Sequence, residues 1–206
     1  METPEKMSRK MLIIIPVCVV AFLSVLLACA LVQAFEARAD CNAFLSDIRN
    51  LRVGESTYDD VVRIHATYRN RSSVEGNTCE RNLCILDFSF ENIWLYHSGL
   101  VPGARFVGSL TIRNGVLVKV NLTLSSNPGY DATTTEETSD NLNVKAYEVG
   151  GRKFQSDQRY SYVWAHITSA ASEEQRRAAY AFNLACLTRF GGCKDANEIL
   201  PILLPR

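Results

Sequence analysis

The residues of this chain best suited to chemistry are its seven cysteines. Cys18 and Cys29 lie in an apolar segment, where a thiol behaves as a small hydrophobic group. Four of the other five form two closely spaced pairs: Cys79 with Cys84, and Cys186 with Cys193. In an oxidising compartment, pairs of this kind form disulfide bonds. The spacing therefore predicts two local bridges, one just before a strand and one near the C-terminus.

Two other roles compete for these four cysteines. A zinc site would gather four thiolates around one ion, but the pairs enclose four and six residues, which does not match the short loops of common zinc sites. A thiol-redox site would use either pair as a reactive dithiol. Three possibilities are open for Cys41: burial in the core, a disulfide between two copies of the chain, or a disulfide with one of the other cysteines. We predict structural disulfides and no metal.

Other residue types that often catalyse reactions form no motif in this sequence. The three histidines are far apart: His65, His97 and His166. Ser109 and Ser161 lack the Gly-x-Ser-x-Gly context of a nucleophilic serine, and Asp87 and Glu91 are expected on the solvent face of a strand. The sequence has no phosphate-binding loop and no dinucleotide fingerprint. We therefore predict no catalytic residue, no cofactor and no enzyme activity.

Five aromatic residues are the candidates for a binding surface: Trp94, Tyr96, Tyr160, Tyr162 and Trp164. They belong to two predicted strands, and neighbouring strands would display them together. Tryptophan and tyrosine supply large contact areas at protein interfaces. The alternative, in which these side chains pack beneath the helices as part of the core, stays open.

The N-terminal segment determines on which side of a membrane these residues would lie. Residues 11–32 carry no charge and follow Lys6, Arg9 and Lys10. At about 1.5 Å per residue, a helix over this segment is roughly 33 Å long and spans the ~30 Å hydrocarbon core of a bilayer. Basic flanks stay in the cytoplasm. We predict three parts: a cytoplasmic tail (1–10), a signal-anchor transmembrane helix (11–35), and an extracytoplasmic domain (36–206), which is periplasmic in a bacterium.

Two processed forms of the N-terminus are alternatives to the anchor. A cleaved signal peptide would end at the small residues Ala37 and Ala39, although the apolar core is longer than the usual 7–15 residues. A lipoprotein signal would be processed before Cys29, although the bulky Leu27 fits that pattern poorly. All three forms place the folded part on the far side of the membrane.

Charge limits the partners of the predicted domain. The chain has 22 basic and 22 acidic residues. Three of the basic and two of the acidic residues precede residue 36, which leaves 19 and 20. This balance provides no basic field for nucleic acid. About 170 residues are enough for one domain with its own core, and we predict a single domain that binds no nucleic acid.

The apolar periodicity of the first half predicts helices followed by strands. A helix over 40–51 continues the membrane segment, and a second helix follows a capping box formed by Ser56 and Asp59. Alternating apolar residues predict strands from 86 to 96, from 106 to 112 and from 116 to 124. Asn114-Gly115 is typical of a type I′ hairpin turn, and the strand after it is expected to bury Val116 and Val118.

The second half is predicted to contain a loop, two strands and a helix. Residues 127–143 are rich in polar residues and are expected to form a mobile loop. Strands are expected over 144–149 and 160–168, joined through Gly150-Gly151. A capping box at Ser172 begins a helix that extends to about Phe190. The predicted fold class is α+β: an N-terminal transmembrane helix, then helices packed on an antiparallel β-sheet, with a C-terminal helix.

Three short motifs carry a resemblance to a known family. Residues 51–56 read Leu-Arg-Val-Gly-Glu-Ser, Trp94 and Tyr96 form an aromatic pair, and Asn114-Gly115 precedes two apolar residues. In these features the chain resembles the small outer-membrane assembly lipoproteins of the BamE/SmpA type, which have two short helices and a three-stranded antiparallel sheet. The Gly-x-Pro usual after their second helix is absent, and the later part of this chain has no counterpart. The resemblance implies a scaffold or interaction domain of the cell envelope.

These observations predict a single-pass membrane protein whose extracytoplasmic domain acts by binding. The expected partners are the lipid bilayer, through residues 11–35, and a protein of the cell envelope. One alternative is an envelope enzyme or thiol-redox protein that uses one of the cysteine pairs. Another is a secreted inhibitor or small-ligand-binding module, which requires a cleaved N-terminus.

Overall fold

The computed structural model describes residues 9–74, 79–94, 103–126, 129–138, 145–153, 161–189 and 192–202. They form one long N-terminal helix and a domain in which helices cover one face of a seven-stranded sheet. The predicted α+β fold class is confirmed.

Helix α1, Arg9–Asn50, runs without interruption from the apolar segment into the domain. Its side chains at 14–29 are exposed. From there on, the helix buries one stripe of side chains against the domain: Ala30, Ala34, Ala37, Cys41, Phe44 and Ile48. These positions recur every three or four residues and therefore lie on one side of the helix. By length and composition α1 can cross a membrane, so one helix combines the predicted span with part of the domain core.

Helix α2, Tyr58–Thr67, begins one residue later than the sequence predicts. Its capping box is formed by Thr57 and Asp60: the Thr57 amide donates to the Asp60 carboxylate at 2.8 Å, and the Asp60 amide donates to the Thr57 hydroxyl at 3.4 Å. The predicted box at Ser56 is wrong because the Ser56 hydroxyl already accepts the amide of Arg52 at 2.8 Å.

The sheet has the strand order β1-β2-β3-β4-β5-β7-β6. Its strands are β1 Ser72–Val74, β2 Leu83–Glu91, β3 Ala104–Arg113, β4 Val116–Ser126, β5 Tyr130–Glu137, β6 Tyr147–Lys153 and β7 Ser161–Thr168. Neighbours are antiparallel except β5 and β7. These two are parallel because the chain first forms β6 at the outer position and then returns between β6 and β5.

The β3–β4 hairpin is confirmed, with a local correction to its second strand. Asn114 and Gly115 both have positive φ, 53° and 79°, as a type I′ turn requires. A register shift follows the turn, where Ile112 pairs with Leu117 while Thr111 pairs with Lys119. Because of this bulge, Leu117 is buried in place of the predicted Val116 and Val118.

The prediction of a mobile loop over 127–143 is wrong at Tyr130–Glu137, which forms β5. The strand turns Ala132, Thr134 and Glu136 toward the core, and all three are buried. Two of these three positions are polar, which hides the alternation that identifies a half-buried strand. The Thr134 hydroxyl donates to the carbonyl of Ala179, so this buried group is paired.

The ends of β6 and of the C-terminal helix also differ from prediction. β6 continues through Gly150 and Gly151 instead of ending before them. The predicted helix to Phe190 is wrong, because helix α3, Glu173–Ala179, ends at Tyr180. A 3₁₀ helix, Leu184–Leu187, and a short helix α4, Ala196–Ile199, follow. The capping box at Ser172 is confirmed, with Gln175 as its second member.

Phe44 lies at the centre of the contact between α1 and the sheet. Its ring centroid is 4.7 Å from that of Phe88 and 5.1 Å from that of Phe90. A Cβ atom at Gly108 would lie 2.7 Å from the Phe44 ring, so the glycine leaves the room that this ring occupies. Burial of a phenylalanine contributes about 1.5–3 kcal/mol. This packing holds the end of α1 on β2 and β3.

Candidate binding surface

The helices contact one face of the sheet, and the opposite face carries the polar side chains of the strands. The Ser161 hydroxyl on β7 accepts the amide of Ala196, and the Thr134 hydroxyl on β5 donates to a carbonyl of α3, so both point to the helices. Side chains at the alternate positions of these strands point the other way. We call this second surface the open face of the sheet.

Two of the predicted aromatic residues lie side by side on the open face. Tyr162 and Trp164 are two residues apart on β7 and therefore share one face. Tyr162 is 37% exposed, and Trp164 is partly exposed. The alternative in which they pack beneath the helices is wrong for both.

Trp94 does not join them. It follows β2, which is four strand spacings from β7 in the sheet order, or roughly 19 Å at ~4.8 Å per spacing. The expectation that one pair of neighbouring strands displays the whole aromatic set is therefore wrong. Tyr96 and Tyr160 lie outside the described residues.

An open groove of about 310 Å³ runs along β7 and its neighbours on this face. We call it the β7 groove. Strands β4, β5 and β7 line it with Lys119, Thr133, Thr135, Glu137, Tyr162, Trp164, Ala165 and His166. The groove therefore combines an aromatic wall with a floor of hydroxyl groups and a small charged cluster.

The charged cluster of the β7 groove is centred on Glu137. Its carboxylate lies 3.0 Å from the His166 ring nitrogen Nε2 and 3.7 Å from Lys119 Nζ. All three side chains are partly exposed, and exposed ion pairs contribute little to stability. These groups are therefore accessible for interaction with charged or polar groups of a partner.

Trp164 packs against a glycine of the neighbouring strand β6. Gly150 pairs with Trp164 across the strands, and a Cβ atom at Gly150 would lie 2.5 Å from the indole ring. The indole therefore lies flat over the glycine, in space that any other residue would fill.

The threonine hydroxyl groups of the β7 groove are hydrogen-bonded to strand β4. Thr133 is bonded to Thr123 at 3.1 Å, and Thr135 donates to Asn121 at 2.9 Å.

A buried charged cluster lies on the other side of β5, directly beneath the groove. Glu136 and Arg176 are almost fully buried, and the arginine Nε lies 3.0 Å from the carboxylate. The Tyr180 hydroxyl also donates to Glu136. Burial, with the neighbouring Glu136 charge, raises the pKa of Tyr180 well above its usual range. The sequence alone does not predict this cluster, because its members come from a strand and a helix that are far apart in the chain.

The cysteines follow the prediction. Cys79 is bonded to Cys84, and Cys186 to Cys193. Cys41 is a free, buried thiol, and burial, followed by the Asp40 charge, raises its pKa. A buried, protonated thiol is a poor nucleophile. Of the three possibilities for Cys41, the structure shows the first: the thiol is buried and forms no disulfide.

The remaining candidate catalytic residues are dispersed. His65 on α2 packs against Phe88, His166 belongs to the β7 groove, and His97 lies outside the described residues. Within the described ranges, no group of three or more His, Cys, Asp or Glu side chains is arranged to hold a metal ion.

Comparisons with protein-family models, curated proteins and solved structures find no match to this chain. The resemblance to the BamE/SmpA-type lipoproteins therefore stays a prediction.

Proposed function

We propose that this protein is a membrane-anchored binding module whose β7 groove binds a protein of the cell envelope. The observation that carries the proposal is the placement of Tyr162 and Trp164 beside the Glu137 cluster on the open face of the sheet. Protein interfaces are enriched in large aromatic anchors that are surrounded by polar groups. The partly exposed lysine, glutamate and histidine would determine which partner charges are accepted.

The proposed location rests on α1 and on the disulfides. α1 is long and apolar enough to span a bilayer, and disulfide bonds persist in oxidising compartments outside the cytoplasm. The basic residues before the apolar segment favour a cytoplasmic N-terminus. Together these features support a single-pass protein whose domain lies outside the cytoplasm.

The structure gives a reason to prefer an anchor over a cleaved signal peptide. Cleavage after Ala39 would remove Ala30, Ala34 and Ala37, three residues of the stripe that α1 buries against the domain. Burial also weakens the thiol-redox alternative for the second pair, since Cys186 and Cys193 are each about 1% exposed. Redox disulfides must be accessible to an attacking thiolate.

The proposal is tested by photo-crosslinking in native membranes. A photoreactive amino acid replaces Tyr162 in the β7 groove or, as a matched control, Glu174, which is exposed on α3 at the covered face. We expect one discrete partner to be captured from position 162 and not from position 174.

The same capture is repeated with Trp164→Ala and with Trp164→Phe. Alanine removes the aromatic wall and should abolish capture, whereas phenylalanine retains a ring and should preserve part of it. Intact disulfides and an unchanged circular dichroism spectrum show that the variants are folded. Equal capture from both probe positions, or capture that survives Trp164→Ala, would contradict the proposal.

A further inference from the structure

Two apolar side chains are exposed beside the point where α1 leaves its apolar segment. Trp94 is 57% exposed and Ile93 is 43% exposed. The Trp94 amide donates to the side-chain oxygen of Gln33 on α1 at 3.3 Å. Gln33 is the third residue from the end of the predicted span 11–35, which is followed by the charged Glu36, so this hydrogen bond places Trp94 level with the end of the span.

Phe35 lies at nearly the same height on another side of the helix. It is 58% exposed and lies about 4.5 Å beyond residue 32 along the helix axis. Gln33 and Phe35 are two residues apart, which is a rotation of about 200° around an α-helix. Exposed apolar side chains therefore lie on two different sides of the helix at one level, instead of forming a single patch.

From this arrangement we propose that Trp94, Ile93 and Phe35 lie in the headgroup layer of the bilayer, so that the domain rests directly on the membrane surface. The occupant of this surface is phospholipid. A protein partner would cover one side of the helix, whereas a lipid layer contacts all sides at a given depth. Headgroup regions add roughly 5–8 Å to each side of the hydrocarbon core, which accommodates all three residues.

Tryptophan is suited to this layer because it combines a large apolar ring with one N–H donor. The segment that carries Trp94 is also held in place. The buried Asn92 donates to the carbonyl of Leu187 at 3.4 Å, and Ala30, one turn before Gln33, is already buried against the domain. The surface is thus continuous with the span of α1.

The inference rests on the membrane anchor of the proposed function but not on the β7 groove. The chain contains only two tryptophans, Trp94 and Trp164, and its apolar segment contains none. Each can therefore be observed separately by fluorescence, in Trp164→Phe and Trp94→Phe respectively. The two variants are matched controls for each other.

The full chain is reconstituted into phosphatidylcholine vesicles with or without bromine on the acyl chains near the headgroup. We expect brominated lipid to cause a loss of emission from Trp94 and none from Trp164. In the wild type, the quenched part of the emission should not exceed the part that Trp94→Phe removes, and Trp94→Phe should abolish the quenching, which guards against an effect of Trp164→Phe on folding.

Flotation of the vesicles separates the two ways in which the test can fail. If the protein floats with the vesicles and Trp94 keeps its emission, the domain does not rest on the bilayer and the inference is overturned, while the anchor stands. If the protein does not float, the anchor is wrong and the inference falls with it. Equal quenching of both tryptophans would also overturn the proposed placement.

Discussion

At the scale of single residues, the buried Arg176 joins three parts of the fold. Its guanidinium binds Glu136 on β5 and donates to the carbonyls of Arg49 and Leu51 at the end of α1, each at 2.6 Å. Arg49 in turn donates to the carbonyl of Tyr180 at 2.8 Å. One buried cation therefore joins the last turn of the long helix to the sheet and to α3.

We expect Arg176→Ala to lower the free energy of unfolding by about 3–5 kcal/mol, because Glu136 would remain buried without its counter-charge. The matched comparison is Glu136→Gln with Glu137→Gln, two neighbouring positions on β5. Glu136→Gln should also be strongly destabilising, whereas Glu137→Gln, at a partly exposed ion pair, should change stability by at most about 1 kcal/mol. Urea unfolding in mild detergent measures the free energy of unfolding of all three variants. An equal loss of stability in Glu136→Gln and Glu137→Gln would contradict this account.

At the scale of elements, the pairing of β6 with β7 positions the aromatic wall of the β7 groove. Gly150 is the position at which β6 accommodates the indole of Trp164. Alanine is otherwise tolerated in strands, so the requirement for glycine comes from the indole and not from the backbone.

A double-mutant cycle tests this coupling. Gly150→Ala should destabilise the protein, because the added methyl group would displace the indole. In the Trp164→Ala background the same substitution should cost much less, since the space is then empty. Contacting residues show coupling energies of about 0.5–3 kcal/mol. Additive effects of the two substitutions would mean that Gly150 is needed for a different reason.

An element can be predicted from sequence when residues close to it in the chain determine it, and not when its buried groups are paired with distant residues. The strand of Leu86, Phe88 and Phe90 and the Asn114-Gly115 turn were predictable, because local alternation and positive φ determine them. β5 was not, because its buried threonine and glutamate are paired with groups from α3, forty or more residues away. Local patterns carry no information about such distant partners.

The candidate site was predictable only in part, for the same reason. The residue types of Tyr162 and Trp164 identify them as binding candidates. Glu137 and Lys119 were not grouped with them, because β4, β5 and β7 become neighbours only through the crossover that inserts β7 beside β5. Residue type is visible in sequence, whereas strand order is a long-range property.

At the scale of the whole molecule, intact mass under native and unfolding conditions tests the anchor and the disulfides together. We expect the full-length mass, because processing at Ala39 would remove part of the buried stripe of α1. Four additional thiols should react with an alkylating agent only after reduction, and Cys41 should react only after unfolding. A truncated mass, a lipid adduct at Cys29 or four thiols free before reduction would each contradict this expectation.

In the proposed membrane-anchored form, the continuity of α1 limits how far the domain can act from the bilayer. From Ala30 to Asn50 the helix belongs to the domain, a length of about 30 Å, and no flexible linker separates it from the apolar segment. The β7 groove therefore has a fixed height and cannot reach outward as a tethered module does. In that form a partner must reach a groove held at a constant distance from the bilayer, so binding is confined to a thin layer parallel to the membrane. A partner anchored in the same membrane is already held in that layer.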